Sequence, residues 1–150
     1  MNAFGTDIAP AQICIIKAGA SKHEALDQLV EATATHPCIT DREALRRAVH
    51  EREAISSTGI GGGVAIPHVR LPELPKLVLA IGIAPKGIEF DTLDNKPVYI
   101  MVLFVTPKEK NKEYLGHLAQ VMQALRDPEL FQALVACHTP GQADNVLNVP

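Results

Sequence analysis

Apolar residues recur along this chain at two spacings, and the places where the spacing changes divide it into elements. Ile13-Cys14-Ile15-Ile16 is a short β-branched run that suits a first strand. Ser21 with Glu24 three residues on has the form of a capping box, and Leu26, Leu29 and Val30 then share a helical face that ends near His36-Pro37. Thr40 and Glu43 repeat the arrangement. Ala44, Leu45, Ala48 and Val49 follow as the buried side of a second helix reaching about Glu53. The opposite face, with Arg42, Arg46, Arg47 and Glu51, reads as solvated surface.

Further on, Pro72-Glu73-Leu74-Pro75 reads as a loop, and Leu77 to Ala84 is a nearly continuous apolar run suited to the middle of a sheet. Lys86-Gly87 is expected to break that strand, with Ile88 to Phe90 as a short edge strand. Asp94-Asn95-Lys96-Pro97 supplies turn chemistry before Val98 to Val105, the strongest strand signal in the chain, which Pro107 ends. From Glu109 the period becomes helical, with Leu115, Leu118, Val121, Met122 and Leu125 on one face. A further helix from about Pro128 to Cys137 presents Leu130, Phe131, Leu134 and Val135. A Thr139-Pro140-Gly141 break leads to a last short helical turn or a loose tail. Strands bracketed by helices predict an α/β sandwich around a mixed or partly parallel sheet, as one domain spanning residues 1–150.

Composition narrows the function classes. The net charge of −3 shows no basic excess to attract nucleic acid, and scarce aromatics, with no Trp, two Tyr and four Phe, argue against a base-stacking platform. No apolar run approaches the ~20 residues needed to span a bilayer, and MNAFGTDIAPAQ lacks the basic start and apolar stretch of a signal peptide. A cytoplasmic protein without membrane insertion is expected. Cys14, Cys38 and Cys137 are odd in number and far apart, so they fit small buried hydrophobes better than disulfides or a metal knuckle.

The chemistry concentrates between Arg52 and Arg70. Glycines at 59, 61, 62 and 63 permit positive φ and close approach to a ligand, and Val64-Ala65-Ile66 carries the chain inward. Pro67, with its ring-fixed φ, then holds His68 in one direction. An imidazole can be a metal ligand, a general base, a nucleophile or a satisfied core residue, and for a histidine taken blindly the last is commonest. The other histidines (23, 36, 50, 117 and 138) form no HxxxH or HxH pair, so neither a metal site nor a cofactor is expected. No Walker A loop or strand-anchored GxGxxG is present either. A phosphoryl-accepting nucleophile fits the surroundings better, because that chemistry consists mostly of positioning and charge stabilisation. Backbone amides from Gly59 to Gly63, those of Gly61, Gly62 and Gly63 among them, can form a nest, Ser57 and Thr58 can donate from their hydroxyls, and Arg52 or Arg70 can neutralise phosphoryl oxygens. Taken singly, each part has an ordinary reading: glycines make turns, Ser-Thr bends a loop and most arginines are solvated.

Ser57-Thr58-Gly59-Ile60-Gly61-Gly62-Gly63-Val64-Ala65-Ile66-Pro67-His68, with the preceding Arg52-Glu53, resembles the active-site signature of the type 2 EIIA domains of the bacterial phosphoenolpyruvate-dependent phosphotransferase system. The resemblance continues through Phe90-Asp91-Thr92-Leu93-Asp94-Asn95-Lys96-Pro97-Val98, Pro107 and the helix starting near Lys112, and so covers most of the chain. The STGIG wording and the length of 150 are nearest to the nitrogen-regulatory branch. The resemblance implies a mixed β-sheet flanked by α-helices on both faces. It also implies that His68 accepts a phosphoryl group from an HPr-type phosphocarrier. Sugar-transporting members pass the group to an EIIB domain, whereas nitrogen-branch members regulate partners such as a potassium transporter or sensor kinase.

Two positions depart from the family pattern. Val69 stands where a small residue, often Gly, follows the phosphoacceptor. Tyr114, in Lys112-Glu113-Tyr114-Leu115, replaces the second family histidine, and His117 lies about one turn beyond it. A phenol can donate a hydrogen bond to a phosphoryl group or orient His68, but supplies no second imidazole. Two functions therefore stand together: a phosphoryl carrier, and a regulatory module of the same fold that docks to a partner with weakened or lost transfer.

Overall fold

The computed structural model describes residues 2–108 and 111–148. A 3-10 turn at Pro10–Gln12 leads into β1 (Ile13–Ile15), followed by α1 (Lys22–Thr33) and α2 (Arg42–Ile55). Three short strands come next, β2 (Gly59–Gly61), β3 (Val64–Ala65) and β4 (His68–Arg70), and then two long ones, β5 (Val78–Ile88) and β6 (Val98–Thr106). Helices α3 (Asn111–Leu125), α4 (Pro128–Val135) and α5 (Pro140–Leu147) complete the order. Glu109, where the helical period was expected to begin, lies outside the described residues.

The sheet is mixed, in the order β1-β5-β6-β3-β2, with β4 also paired to β6. β5 and β6 are antiparallel neighbours, whereas β1 joins β5, and β3 and β4 join β6, in parallel. Because side chains alternate across a strand, the two central strands serve two cores at once. Ala80, Met101, Leu103 and Val105 pack with Leu26, Leu29, Leu45 and Val49 of α1 and α2. Leu79, Ile81, Ile100, Val102 and Phe104 pack with Val121, Leu125, Leu134 and Leu147 of α3, α4 and α5. Burial on both faces is why these strands read as continuous apolar runs.

The expected elements are present, with three differences. Helix α1 starts as predicted, with Ser21 Oγ accepting from the Glu24 amide and Glu24 accepting from the Ser21 amide, both at 3.1 Å. Helix α2, however, is capped by Asp41 and not by Thr40: Asp41 accepts from the Ala44 amide at 3.0 Å. Both residue types cap helices, and the carboxylate adds a negative charge at the positive end of the helix. Lys86-Gly87 does not break the strand. It forms a bulge inside β5, since Ile83 pairs with Ile100 and Ile88 with Val98, so Ile88 belongs to the same strand and not to a separate edge. The third difference is the glycine stretch, which forms the short strands β2, β3 and β4; in the tail the helical reading holds, as α5, with Thr139 capping the Gln142 amide and Pro140 at the first helical position. Among the described residues, no helix is long and apolar enough to cross a membrane.

Candidate functional site

The glycine stretch folds as a hairpin. Gly61, Gly62 and Gly63 all have positive φ (88°, 65° and 81°), a run that turns β2 back onto β3 and that residues with a Cβ rarely adopt. Several polar groups around this turn already have partners. The Gly62 amide donates to Asp94 at 2.9 Å, and Asp94 also accepts from the Lys96 amide and the Thr92 hydroxyl. These bonds, the Gly62 one foremost, hold the Asp94 carboxyl below the usual carboxylate range. The Gly59 amide donates to Ser57 Oγ at 3.2 Å, and the Ser57 hydroxyl donates to the Asp91 carbonyl.

Thr58 is held from the other side. Its amide and hydroxyl both donate to the carboxylate of Glu53, at 2.9 and 2.7 Å, and Lys22 Nζ lies 2.9 Å from the same group. Burial pushes the Glu53 carboxyl up, but the two Thr58 bonds and Lys22 more than offset it, and the group stays below its ordinary value. Lys22 in turn sits 4.4 Å from the centre of the Phe90 ring. The hairpin is thus clamped by Glu53 at the end of α2 and by Asp94 in the loop before β6.

Beyond the hairpin, β3 and β4 lie end to end along one edge of β6. Their partners are 36 residues away in every pair from Val64–Ile100 to Arg70–Thr106. Pro67 sits at the join, its carbonyl accepting from the Phe104 amide at 2.9 Å. It has no N–H to contribute to a ladder, and this edge is where a strand tolerates such a residue. His68 pairs with Phe104 and faces the α3 layer, whereas Val69, 7% exposed, packs into the α1/α2 core. A β-branched residue after the histidine is therefore at home in a strand with one buried face.

His68 stands between two helices. On one side Tyr114 in the first turns of α3 has its ring centre 5.8 Å away at 34°, and Tyr114 rests edge-on against Phe104 at 5.4 Å and 82°. On the other side His68 lines a shallow depression of about 350 Å³ with Ala48, Glu51, Arg52, Ile55, Val69 and Arg70. The Arg52 guanidinium donates to the Ser56 carbonyl at 2.9 Å, at the C-terminal end of α2. Burial pushes the Tyr114 phenol up, and Arg52 acts in the opposite direction, which puts the guanidinium and the phenol in one electrostatic neighbourhood. The phenol therefore stays protonated near neutral pH and can donate. His68 Nδ1 lies 3.4 Å from the Ile66 carbonyl, a long contact; a neutral ring that donates there presents its Nε2 lone pair. His117, one turn past Tyr114, faces Glu113 at 3.9 Å, and its buried Nδ1 has no hydrogen-bond partner among the described residues.

Three of the residues singled out from sequence, His68, Arg52 and Tyr114, thus meet at one place. Ser57, Thr58 and the glycines form the mount behind it. Sequence reasoning placed Glu53 and Asp94 in the matching motifs and Phe104 in a strand but gave none of them a role in the site, because their contacts reach across 5 to 36 positions and leave no periodic signal.

Residues 9–149 match the model of the family described as "Phosphoenolpyruvate-dependent sugar phosphotransferase system, EIIA 2". The chain belongs to that family. Among EIIA type 2 relatives, a nitrogen regulatory protein of Bradyrhizobium diazoefficiens is 30% identical over 143 residues, covering 95% of this chain and 93% of the relative. A fructose-specific EIIABC component of Bacillus subtilis is 26% identical over 127 residues, covering 85% of this chain but only 20% of the relative's length. The fold is that of nitrogen regulatory protein IIA-Ntr from Neisseria meningitidis, with a TM-score of 0.80 at 20% identity over 93% of this chain and 95% of that one. The expected family and its mixed, helix-flanked sheet are both borne out.

Proposed function

We propose that this EIIA type 2 chain is a cytoplasmic phosphoryl carrier and regulator that accepts a phosphoryl group on His68 from an HPr-type phosphocarrier. The observation that carries the reading is one imidazole fixed at a sheet edge, open to a shallow depression, with Arg52 on one side and Tyr114 on the other. The His68 Nε2 lone pair attacks phosphorus, the P–N bond of the donor phosphohistidine breaks, and the donor imidazole keeps the electron pair. The Nδ1 proton stays on the ring and is donated to the Ile66 carbonyl. Arg52 uses one of its five N–H donors on Ser56 and offers the others to phosphoryl oxygens. Tyr114 donates to the same oxygens or orients the ring. In this reading Ser57, Thr58, Gly61, Gly62 and Gly63 shape the phosphoryl-binding side of the hairpin and hold His68 in place.

Outward transfer to an EIIB domain has support in the fused EIIABC relative, and regulation of a transporter or sensor kinase has support in the nitrogen regulatory relatives. Docking without transfer is the second reading, and Tyr114 in place of a second imidazole is what favours it. Incubation with enzyme I, an HPr-type carrier and phosphoenolpyruvate, read by intact mass, separates the two. One acid-labile phosphoryl group on the wild type, absent from His68→Ala and formed on the order of 10²-fold more slowly in Arg52→Ala, is expected for the carrier. A wild type that takes up no phosphoryl group from any cognate donor leaves only the docking module.

A further inference from the structure

Away from His68, His23 and Asp27, one turn apart on α1, meet His50 of α2. His50 Nε2 lies 2.7 Å from Asp27 Oδ1, and His23 Nε2 lies 3.5 Å from Asp27 Oδ2. The two rings stack with centres 4.1 Å apart at 23°, and both turn the same nitrogen toward the same carboxylate. The three potential ligand atoms all fall within 4.8 Å of one another. We propose that His23, Asp27 and His50 form a binding site for a late first-row divalent cation, Zn²⁺ in the first instance, bridging α1 and α2.

The chemistry of the set fits such an ion. Imidazole and carboxylate ligands suit Zn²⁺, and three protein ligands with water in the fourth position is a common open tetrahedral arrangement. With Zn–N and Zn–O bonds of ~2.0–2.1 Å, tetrahedral ligand atoms stand roughly 3.3 Å apart. The His23–Asp27 separation is already close to that, and the His50–Asp27 hydrogen bond opens slightly as the ion replaces the shared proton. The ring of His23 is largely exposed and free to adjust, whereas Asp27 and His50 are partly buried and set the site.

Arg46 is the competing cation. It holds both Asp27 oxygens, at 2.9 and 3.2 Å, and the hydrogen bond from it is the main reason the Asp27 carboxyl is held down at about 2. The carboxylate is therefore permanently ionised near neutral pH. Arg46 also has somewhere to go, because Glu43 lies 3.9 Å from its guanidinium, and Glu43 and Glu51 line one depression with His23, Arg46 and His50. Displaced to Glu43, it vacates both oxygens for the ion.

Titration calorimetry of the whole chain with Zn²⁺ in a non-coordinating buffer tests the site, with the visible absorption of bound Co²⁺ as a second readout of tetrahedral geometry. One ion per chain is expected. His23→Ala and His50→Ala should each weaken binding by ~100-fold or more, since even outer-shell changes cost ~10–100-fold. His138→Ala, on the α4–α5 connection, should leave binding unchanged, and Arg46→Gln should tighten it. Because His23 is exposed, its alanine variant retains the fold, which circular dichroism verifies. No uptake of Zn²⁺ by the wild type, or affinity unchanged by either His23→Ala or His50→Ala, overturns the site. In that case the cluster is an ion pair alone.

Discussion

Glu53 is the residue through which α2 grips the hairpin, and its ionisation ties that grip to pH. Its carboxylate is buried, accepts twice from Thr58 and meets Lys22, so the folded state holds it below the ordinary glutamate value of 4.5. A depressed folded pKa means that the unfolded chain binds more protons on the acid side, so stability falls as pH falls. The contribution is complete above 4.5 and is lost on going down through the folded value. Glu53→Ala should cost about 3 kcal/mol, at the low end for a broken buried pair because Lys22 can still reach water. Urea unfolding from about pH 3 to 7 should show a shallower acid limb in the variant than in the wild type. Identical limbs would mean that the Glu53 carboxyl titrates alike in the folded and unfolded chain and that the clamp contributes nothing to the acid limb.

At the scale of elements, the turn from β2 to β3 is where conformation and packing act together. A Cβ at Gly63 would lie 2.9 Å from the Phe131 ring of α4 and 3.3 Å from the Tyr99 ring, and the backbone there is left-handed. Gly63→Ala should therefore destabilise by about 1–3 kcal/mol, from strain and contact combined. Adding Phe131→Leu should recover the contact part and leave the conformational part; a double variant no more stable than Gly63→Ala assigns the whole loss to φ. Most elements were legible in the sequence because their period is local: the α1 capping box, the apolar face of α2 and the Val98–Val105 run all match, as does the face of α3 except at Leu115, which is 59% exposed. The misses have a common cause. Choosing Asp41 over Thr40 depends on how α2 enters the fold, and the bulge at Lys86-Gly87 exists because Ile88 finds Val98 opposite it. Arg46, which read as solvated, is bound to Asp27 of another helix. The site divides in the same way: His68, Arg52 and Tyr114 were visible by residue type and motif, whereas the Glu53 and Asp94 clamps depend on tertiary contacts.

At the scale of the whole molecule, one sheet separates two aliphatic layers, and the layers should respond independently to damage. Leu29 of α1 and Leu134 of α4 are both fully buried, on opposite faces of the sheet. Truncation of either to Ala should cost about 2–5 kcal/mol, and the double variant should show the sum to within ~0.5 kcal/mol. Because β5 and β6 serve both layers, unfolding should remain a single transition in denaturant for all three variants; two resolved transitions would show that one layer survives without the other. The same shared sheet constrains how the chain can change in length. The constant 36-residue offset along β6 carries His68 to its face by parity alone. One residue inserted or deleted between Val64 and His68 would exchange the faces, turning the imidazole into the α1/α2 core and the Val69 side chain toward Tyr114. Insertions in the Pro72–Lys76 loop, which lies after β4, leave that parity untouched. Length variation should therefore be tolerated downstream of the histidine and forbidden in the four-residue step that leads to it.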